Sequence, residues 1–299
     1  MNRDWDATTY DRVSEPQVGW ALSVLDRLPL RGDETVLDAG CGSGRVTQLL
    51  LERLPAGHVI AVDSSPSMLE HARKALGERA TVFQANLTEL ELDRSVDAVF
   101  SNAVFHWIGD HERLFERLFA ALRPGGRLVA QCGGAGNVER FLRVADSVSA
   151  QVPYADYLAG WTGPWNFAGA DATAARLRAA GFVDVHAWLE PGAVVPPDPS
   201  NFLRSVCLRH HLEQLPDDLR APYVEAVRER CGRELDYVRL NIDARRAWGS
   251  EPVGRLGGTA AVDHRQGRSR EEPDDDGRIR VEKRHRHREH EERDRQRRR

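Results

Sequence analysis

The sequence predicts an α/β fold, a doubly wound and mostly parallel sheet, from three observations. Short, nearly continuous apolar runs recur between residues 35 and 131, stretches with apolar side chains at helical spacing separate them, and a glycine-rich turn follows the first run. Strands that are apolar on both faces belong to a sheet covered on both sides by helices. Right-handed crossovers then leave few topologies and place ligands beyond the carboxyl ends of the strands.

The elements follow in order. Residues 14–29 set Val18, Ala21, Leu22, Leu25 and Leu28 at helical spacing, and Pro29 ends the run. Thr35–Asp38 reads as a strand, Gly40, Gly42 and Gly44 as a turn, and Val46, Leu49, Leu50 and Leu54 restart a helical period. His58–Asp63 is a second strand, and Ser65 with Pro66 has the chemistry of a helix cap and first turn. Further strands are expected at 81–83, 96–100 and 127–131, with a helix over 111–122 stopped by Pro124-Gly125-Gly126 and His111 in its exposed first turn. After Gly134 the texture changes. A helix over 137–150 precedes a Gly/Pro-punctuated stretch crowded with Tyr154, Tyr157, Trp161, Trp165 and Phe167. A helix at 172–180, a strand at 182–189, a Pro-rich connector (Pro191, Pro196, Pro197, Pro199), helices near 201–214 and 217–231 and a last strand at 235–244 complete the pattern. The expected organisation is an N-terminal helical segment (1–30), a main domain (31–246) with a helical and aromatic cap at roughly 137–175 and 191–232, and a tail (250–299).

Charge separates that tail from the rest. The chain carries 42 Lys+Arg and 46 Asp+Glu; residues 250–299 hold 15 and 12 of them, leaving 27 and 34 in the body. The formal charge of −4 is therefore an acidic body at −7 and a tail at +3. With seven apolar residues and no aromatics, the tail has too little apolar surface to offset its ordering entropy and is expected to be disordered. His285, His287 and His290 lie in that charged run, which offers no fixed geometry for a metal. An acidic body argues against nucleic acid as a specific partner, since backbone neutralisation needs a basic face. The N-terminus lacks the order of a signal peptide, and no apolar run approaches the ~18 residues of a membrane helix. Four widely spaced cysteines indicate neither zinc site nor disulfide framework, so a reduced, cytoplasmic setting is expected.

The chemistry concentrates at the strand ends. Glycines at 40, 42 and 44 allow positive φ and close ligand approach, and the following helix offers free N–H groups. The dinucleotide pattern G-x-G-x-x-G fails in both registers, meeting Arg45 or Thr47 at its last position, and no P-loop occurs. Asp63 ends the second strand, where a carboxylate can accept both hydroxyls of a ribose; capping the next helix is the alternative. Asn86 after the third strand can meet an adenine edge, and Ser101 closes the fourth. Gly44 can equally serve helix packing, and Cys41 reads as a small turn filler.

The run Val36-Leu37-Asp38-Ala39-Gly40-Cys41-Gly42-Ser43-Gly44 resembles the first motif of class I S-adenosylmethionine-dependent methyltransferases. Val62–Leu69 and Leu122–Leu128 resemble two later motifs, and the resemblance spans roughly residues 1–245. It implies that the Gly40–Gly44 turn holds the methionine end of S-adenosylmethionine, Asp63 the ribose, and Ser64 and Met68 the adenosine surroundings. Asn86 stands where the family usually has Asp, which implies weaker cofactor binding. The cofactor-contacting set is then Tyr10, Asp38, Gly40, Cys41, Gly42, Gly44, Asp63, Ser64, Met68, Asn86, Leu87 and Ser101. Trp5–Tyr10, Phe105–His111 and Tyr237-Val238-Arg239-Leu240 are further similar to the trans-aconitate methyltransferase group, which implies an N-terminal segment, with Tyr10, folded over the cofactor.

Methyl transfer needs alignment, a dry cavity and, for an alcohol or phenol, a base; a carboxylate is already ionised. His106 is the base candidate, with packing or substrate orientation beside Trp107 as the alternative. Trp107, Tyr154, Trp161 and Trp165 are candidates to enclose a small organic acceptor, or else pack a small cap. Arg209 and His210, with Arg204 and His211 nearby, supply cations for an acidic acceptor. The leading expectation is O-methylation of a carboxylate on an aconitate-like acid. A hydroxyl, nitrogen or carbon acceptor, and a cofactor-binding protein without catalysis, are the alternatives.

Overall fold

The computed structural model describes residues 15–196 and 198–249. Backbone contacts divide the chain into 1–254 and 255–299, and every described residue belongs to the first unit. The expectations for Tyr10, the segment before Glu15, Pro197 and the 250–299 tail fall outside the described residues.

The order of elements is α1 (Glu15–Arg27), β1 (Thr35–Ala39), α2 (Arg45–Glu52), β2 (His58–Asp63), α3 (Pro66–Leu76), β3 (Ala80–Gln84), β4 (Val96–Asn102), α4 (His111–Ala121) and β5 (Leu122–Gly133). Then come α5 (Glu139–Ser149), α6 (Ala155–Leu158), α7 (Ala170–Ala179), β6 (Phe182–Val194), α8 (Pro199–Phe202), α9 (Arg209–Gln214), α10 (Asp217–Cys231) and β7 (Leu235–Arg246). The sheet runs β3-β2-β1-β4-β5-β7-β6. Its first five strands are parallel, and β7 is antiparallel to both neighbours. The strand order reverses between β1 and β4, which opens a crevice at their carboxyl ends.

Alternation along each strand feeds two cores. Val36, Ala98, Phe100 and Val129 face Leu25, Leu50 and Leu69 of α1, α2 and α3, while Leu37, Val99, Leu128 and Ala130 face Leu114, Leu118 and Leu177 of α4 and α7. Parallel strands buried on both faces read as continuous apolar runs for this reason. A third cluster, built from residues 138–158 and 202–235 with Tyr223 and Phe202 at its centre, forms the cap. Among the described residues no helix is long and apolar enough to cross a membrane.

Local chemistry explains most boundaries. Ser65 caps α3 by accepting the Met68 N–H at 3.2 Å, with Pro66 in the first turn. Three expectations are corrected. Pro124-Gly125-Gly126 does not separate α4 from its strand, because β5 begins at Leu122 with a register shift opposite Val96 and Ala98. The connector begins later than Pro191, since β6 runs on to Val194. Pro191 is tolerated because β6 is an edge strand with a single hydrogen-bonding side. The helix over 201–214 is broken by a π-helical turn at Leu203–Cys207.

Candidate active site

The turn after β1 is held from below. The N–H groups of Gly40 and Cys41 donate to the Val62 carbonyl at 2.8 and 2.9 Å, and Ser101 Oγ donates to the Ala39 carbonyl at 2.7 Å. Asp38 is buried, and its Oδ2 accepts the Thr47 hydroxyl at 2.7 Å. Burial, reinforced by the charge of Asp63, pushes the Asp38 carboxyl up to about 7 against the pull of Thr47. Asp63 ties the turn to β2, with Oδ2 accepting the Gly42 N–H and Oδ1 the Ser65 N–H, both at 2.9 Å. The helix cap itself is Ser65, so Asp63 positions the capping residue and does not replace it, and Asp63 also lines the crevice.

The three glycines differ. All take positive φ, but a Cβ on Gly40 would lie 2.2 Å from Val104, and one on Gly44 would lie 3.2 Å from Ala72 and Leu76. A Cβ on Gly42 would meet nothing within 4 Å, because it would project into the crevice. Gly44 thus serves the packing of α2 on α3, and Gly42 leaves room for a ligand.

The crevice is a cavity of about 640 Å³. Gly40, Gly42, Asp63, Ser64, Met68, Asn86 and Leu87 line one end of it. Asp38, Cys41, Gly44 and Ser101 do not line it; they brace the turn, and burial raises the Cys41 thiol far above its ordinary value. Asn86 Oδ1 accepts the Thr88 N–H at 3.1 Å and its hydroxyl at 3.0 Å, capping a short 3-10 turn.

The other end is aromatic. His106 and Trp107 sit on the 3-10 turn Phe105–Trp107, with Trp165 stacked on Phe167 at 6.2 Å and 6.4 Å from Trp107. His111 is buried, against the exposed placement expected for it, and its Nε2 donates to the Phe105 carbonyl at 2.9 Å, fixing that turn. The Gly133 N–H donates to His106 Nδ1 at 3.1 Å, so the ring proton resides on Nε2. Burial, with His111 nearby, holds the imidazole down to about 3. With Nδ1 engaged as an acceptor, the side His106 has left to offer the cavity is its Nε2–H. Burial pushes the cavity thiols of Cys132 and Cys207 up to about 12. Two cavity residues, Ala103 (φ 61°) and Val138 (φ 47°), hold left-handed backbone, fixed by N–H bonds to the Gln131 and Asp236 carbonyls at 2.7 and 2.8 Å.

Of the expected acceptor residues, Trp107 and Trp165 line the cavity and four do not. Tyr154 packs edge-on against Tyr223 at 5.0 Å in the cap core, and Trp161 packs on His211 at 4.5 Å. Arg209 and His210 both turn to Glu213, at 3.1 and 3.0 Å, and the His210 ring stands 5.2 Å from Trp107. Among the described residues the arginine that lines the cavity is Arg239, joined by Trp20, Gln131, Asn137 and Tyr237. Sequence reasoning missed these five as site residues; for Tyr237 and Arg239 the reason is that β7 enters the sheet between β5 and β6, a non-local insertion with no local signal. The resemblance over Tyr237–Leu240 was the one available pointer.

The volume lies within the range of about 300–1,000 Å³ usual for small-molecule sites. The open face at Gly42, the Asp63 carboxylate and the apolar walls of Met68 and Leu87 fit an adenosyl group bearing an amino-acid tail. Residues 36–126 match the methyltransferase domain family. The trans-aconitate 2-methyltransferase of Variovorax paradoxus is 31% identical over 242 residues, 74% of this chain and 86% of that protein. The protein of the same name from Acidovorax sp. is 31% identical over 266 residues, 82% and 99% of the two chains. In fold, the chain is similar to a Haemonchus contortus phosphoethanolamine N-methyltransferase in complex with S-adenosyl-L-methionine, with TM-score 0.54, 18% identity, and 81% and 56% of the two chains covered. The chain belongs to the class I S-adenosylmethionine-dependent methyltransferases, in the trans-aconitate methyltransferase-like group, and takes S-adenosylmethionine as its cofactor.

Proposed function

We propose that this methyltransferase esterifies a carboxylate of a small, aconitate-like organic acid. The observation that carries the reading is the Gly133 N–H on His106 Nδ1, which occupies the ring's lone pair and leaves His106 with an Nε2 proton to donate and no free site to take one up. A carboxylate needs no base, and an N–H donor suits its negative charge. The names of the similar proteins support the same substrate class.

Bound S-adenosylmethionine supplies the electrophilic methyl group. The Gly40–Gly44 turn receives the amino-acid end, Asp63 accepts the ribose hydroxyls, and Ser64, Met68, Asn86 and Leu87 surround the adenine. At the other end, His106 Nε2–H orients the reacting carboxylate, and Trp107, Trp165 and Phe167 exclude water around it. Alignment of this kind supplies about 7–11 kcal/mol of a barrier without acid–base chemistry.

The test is turnover to S-adenosylhomocysteine and methyl ester over an acid panel, with wild type and His106→Ala. The expected kcat is flat between pH 6 and 9, and His106→Ala is expected to cost roughly 10-fold, short of the ~10²–10⁴ of a lost base. A rising limb near pH 6.5, or collapse of the rate with cofactor binding intact, refutes the mechanism.

A further inference from the structure

Resting on that carboxylate reading, we propose that Arg239 is a specificity-determining residue that holds a second, non-reacting carboxylate of the acid. Among the described residues Arg239 is the sole arginine or lysine lining the cavity, where Asp63 and Asp110 are the acids. Its side chain is 13% exposed, so its charge acts through little solvent.

The guanidinium is built into place. Its face lies under Trp20, 4.9 Å from the ring centroid, and a Cβ at Gly192 would lie 3.3 Å from both Nη1 and Nη2. Nη2 donates to Glu190 Oε1 at 2.7 Å, and Glu190 Oε2 accepts from Asn241 Nδ2 at 3.0 Å. Asn241 Oδ1 in turn receives Arg27 Nη1 at 2.7 Å and Gln131 Nε2 at 2.8 Å. Among the described residues only Glu190 bonds the guanidinium, through Nη2, so Nη1 has no bonded partner, and Nε is unbonded but enclosed. A cation fixed this firmly with donors to spare is arranged for an incoming anion.

Its position supplies the geometry. Arg239 pairs across the β5–β7 ladder with Gly133, the residue whose N–H holds His106. The strand junction thus presents two donors, His106 for the carboxylate that accepts the methyl group and Arg239 for another on the same molecule.

The experiment is calorimetric titration of the full chain, loaded with S-adenosylhomocysteine, with trans-aconitate and with the monocarboxylate crotonate, alongside turnover on both. Wild type is expected to prefer trans-aconitate, and Arg239→Gln to weaken that acid by ~10-fold or more, with crotonate and S-adenosylhomocysteine unchanged within about twofold. Arg239→Lys is expected to retain part of the preference. Equal losses for both acids, unchanged trans-aconitate affinity, or no binding of either acid to wild type overturns the inference. If Arg239→Gln also loses S-adenosylhomocysteine, Glu190→Gln decides: removing the competing carboxylate is expected to tighten trans-aconitate, and unchanged or weaker binding overturns the inference. Arg239-dependent binding without methyl ester would refute the reaction but support the residue's role. Esterification indifferent to Arg239 would do the reverse.

Discussion

Asn86 shows how one atom's hydrogen bonds decide a residue's use. Its Oδ1 is engaged by both donors of Thr88, so the amide offers the cavity its NH₂ group, a donor, where an adenine amino group needs an acceptor. A carboxylate here can cap the same turn and still accept from adenine with charge. Asn86→Asp is therefore expected to tighten S-adenosylmethionine binding by about 3–10-fold by calorimetry, and equal affinity would remove the argument. That Asn86 replaces the family's Asp was visible in the sequence; that Thr88 orients the amide was not, because a hydroxyl two residues on is as common in loops without such a turn.

At the scale of elements, the glycine turn divides into parts with separable consequences. Gly42→Ala puts a methyl group into the crevice, so cofactor affinity is expected to fall by at least ~10-fold, while the positive φ costs about 1 kcal/mol of stability. Gly44→Ala presses on Ala72 and Leu76, so it is expected to lower the melting temperature more than it weakens binding. Calorimetry beside thermal unfolding separates the two, and the opposite ranking would reverse the assignment. The parallel half of the sheet was legible because strands buried on both faces, such as Val59–Val62, are apolar without interruption. The edge strand β6 was legible only to Leu189, since Pro191-Gly192 reads as a connector until an antiparallel neighbour is known to bond its inner side alone. The cap aromatics were visible as a crowd. Which of them face a cavity, Trp165, and which pack a core, Tyr154, is decided by tertiary partners such as Tyr223 that lie far away in the chain.

For the whole molecule, buried ionisable groups set opposing responses to pH. Burial lowers His106 and His211 to about 3, and lowers His111 and His210 as well. The unfolded chain takes up protons below the ordinary histidine value of 6.5 that the folded chain refuses, so this stability is full above that value and lost as pH falls toward 3. Asp38 acts in the other direction. Its raised value makes its contribution fullest below 3.8 and diminishing as pH rises to about 7. The histidines outnumber it, so urea unfolding is expected to show lower stability at pH 5 than at pH 7 by at least ~1 kcal/mol. Asp38→Asn is expected to steepen that loss by removing the compensating group, and an unchanged slope would mean that Asp38 is ionised throughout. The sheet order carries a different kind of consequence. Because β7 is last in the described chain yet lies between β5 and β6, β6 has no strand to pair with while the ribosome is still making residues 195–234. The β1–β3 end of the cavity is encoded early, whereas Tyr237 and Arg239 arrive only with β7. On the ribosome the Gly40–Leu87 end of the cavity is made first and Tyr237 and Arg239 last, so a chain cut short before β7 lacks the strand that completes the cavity wall.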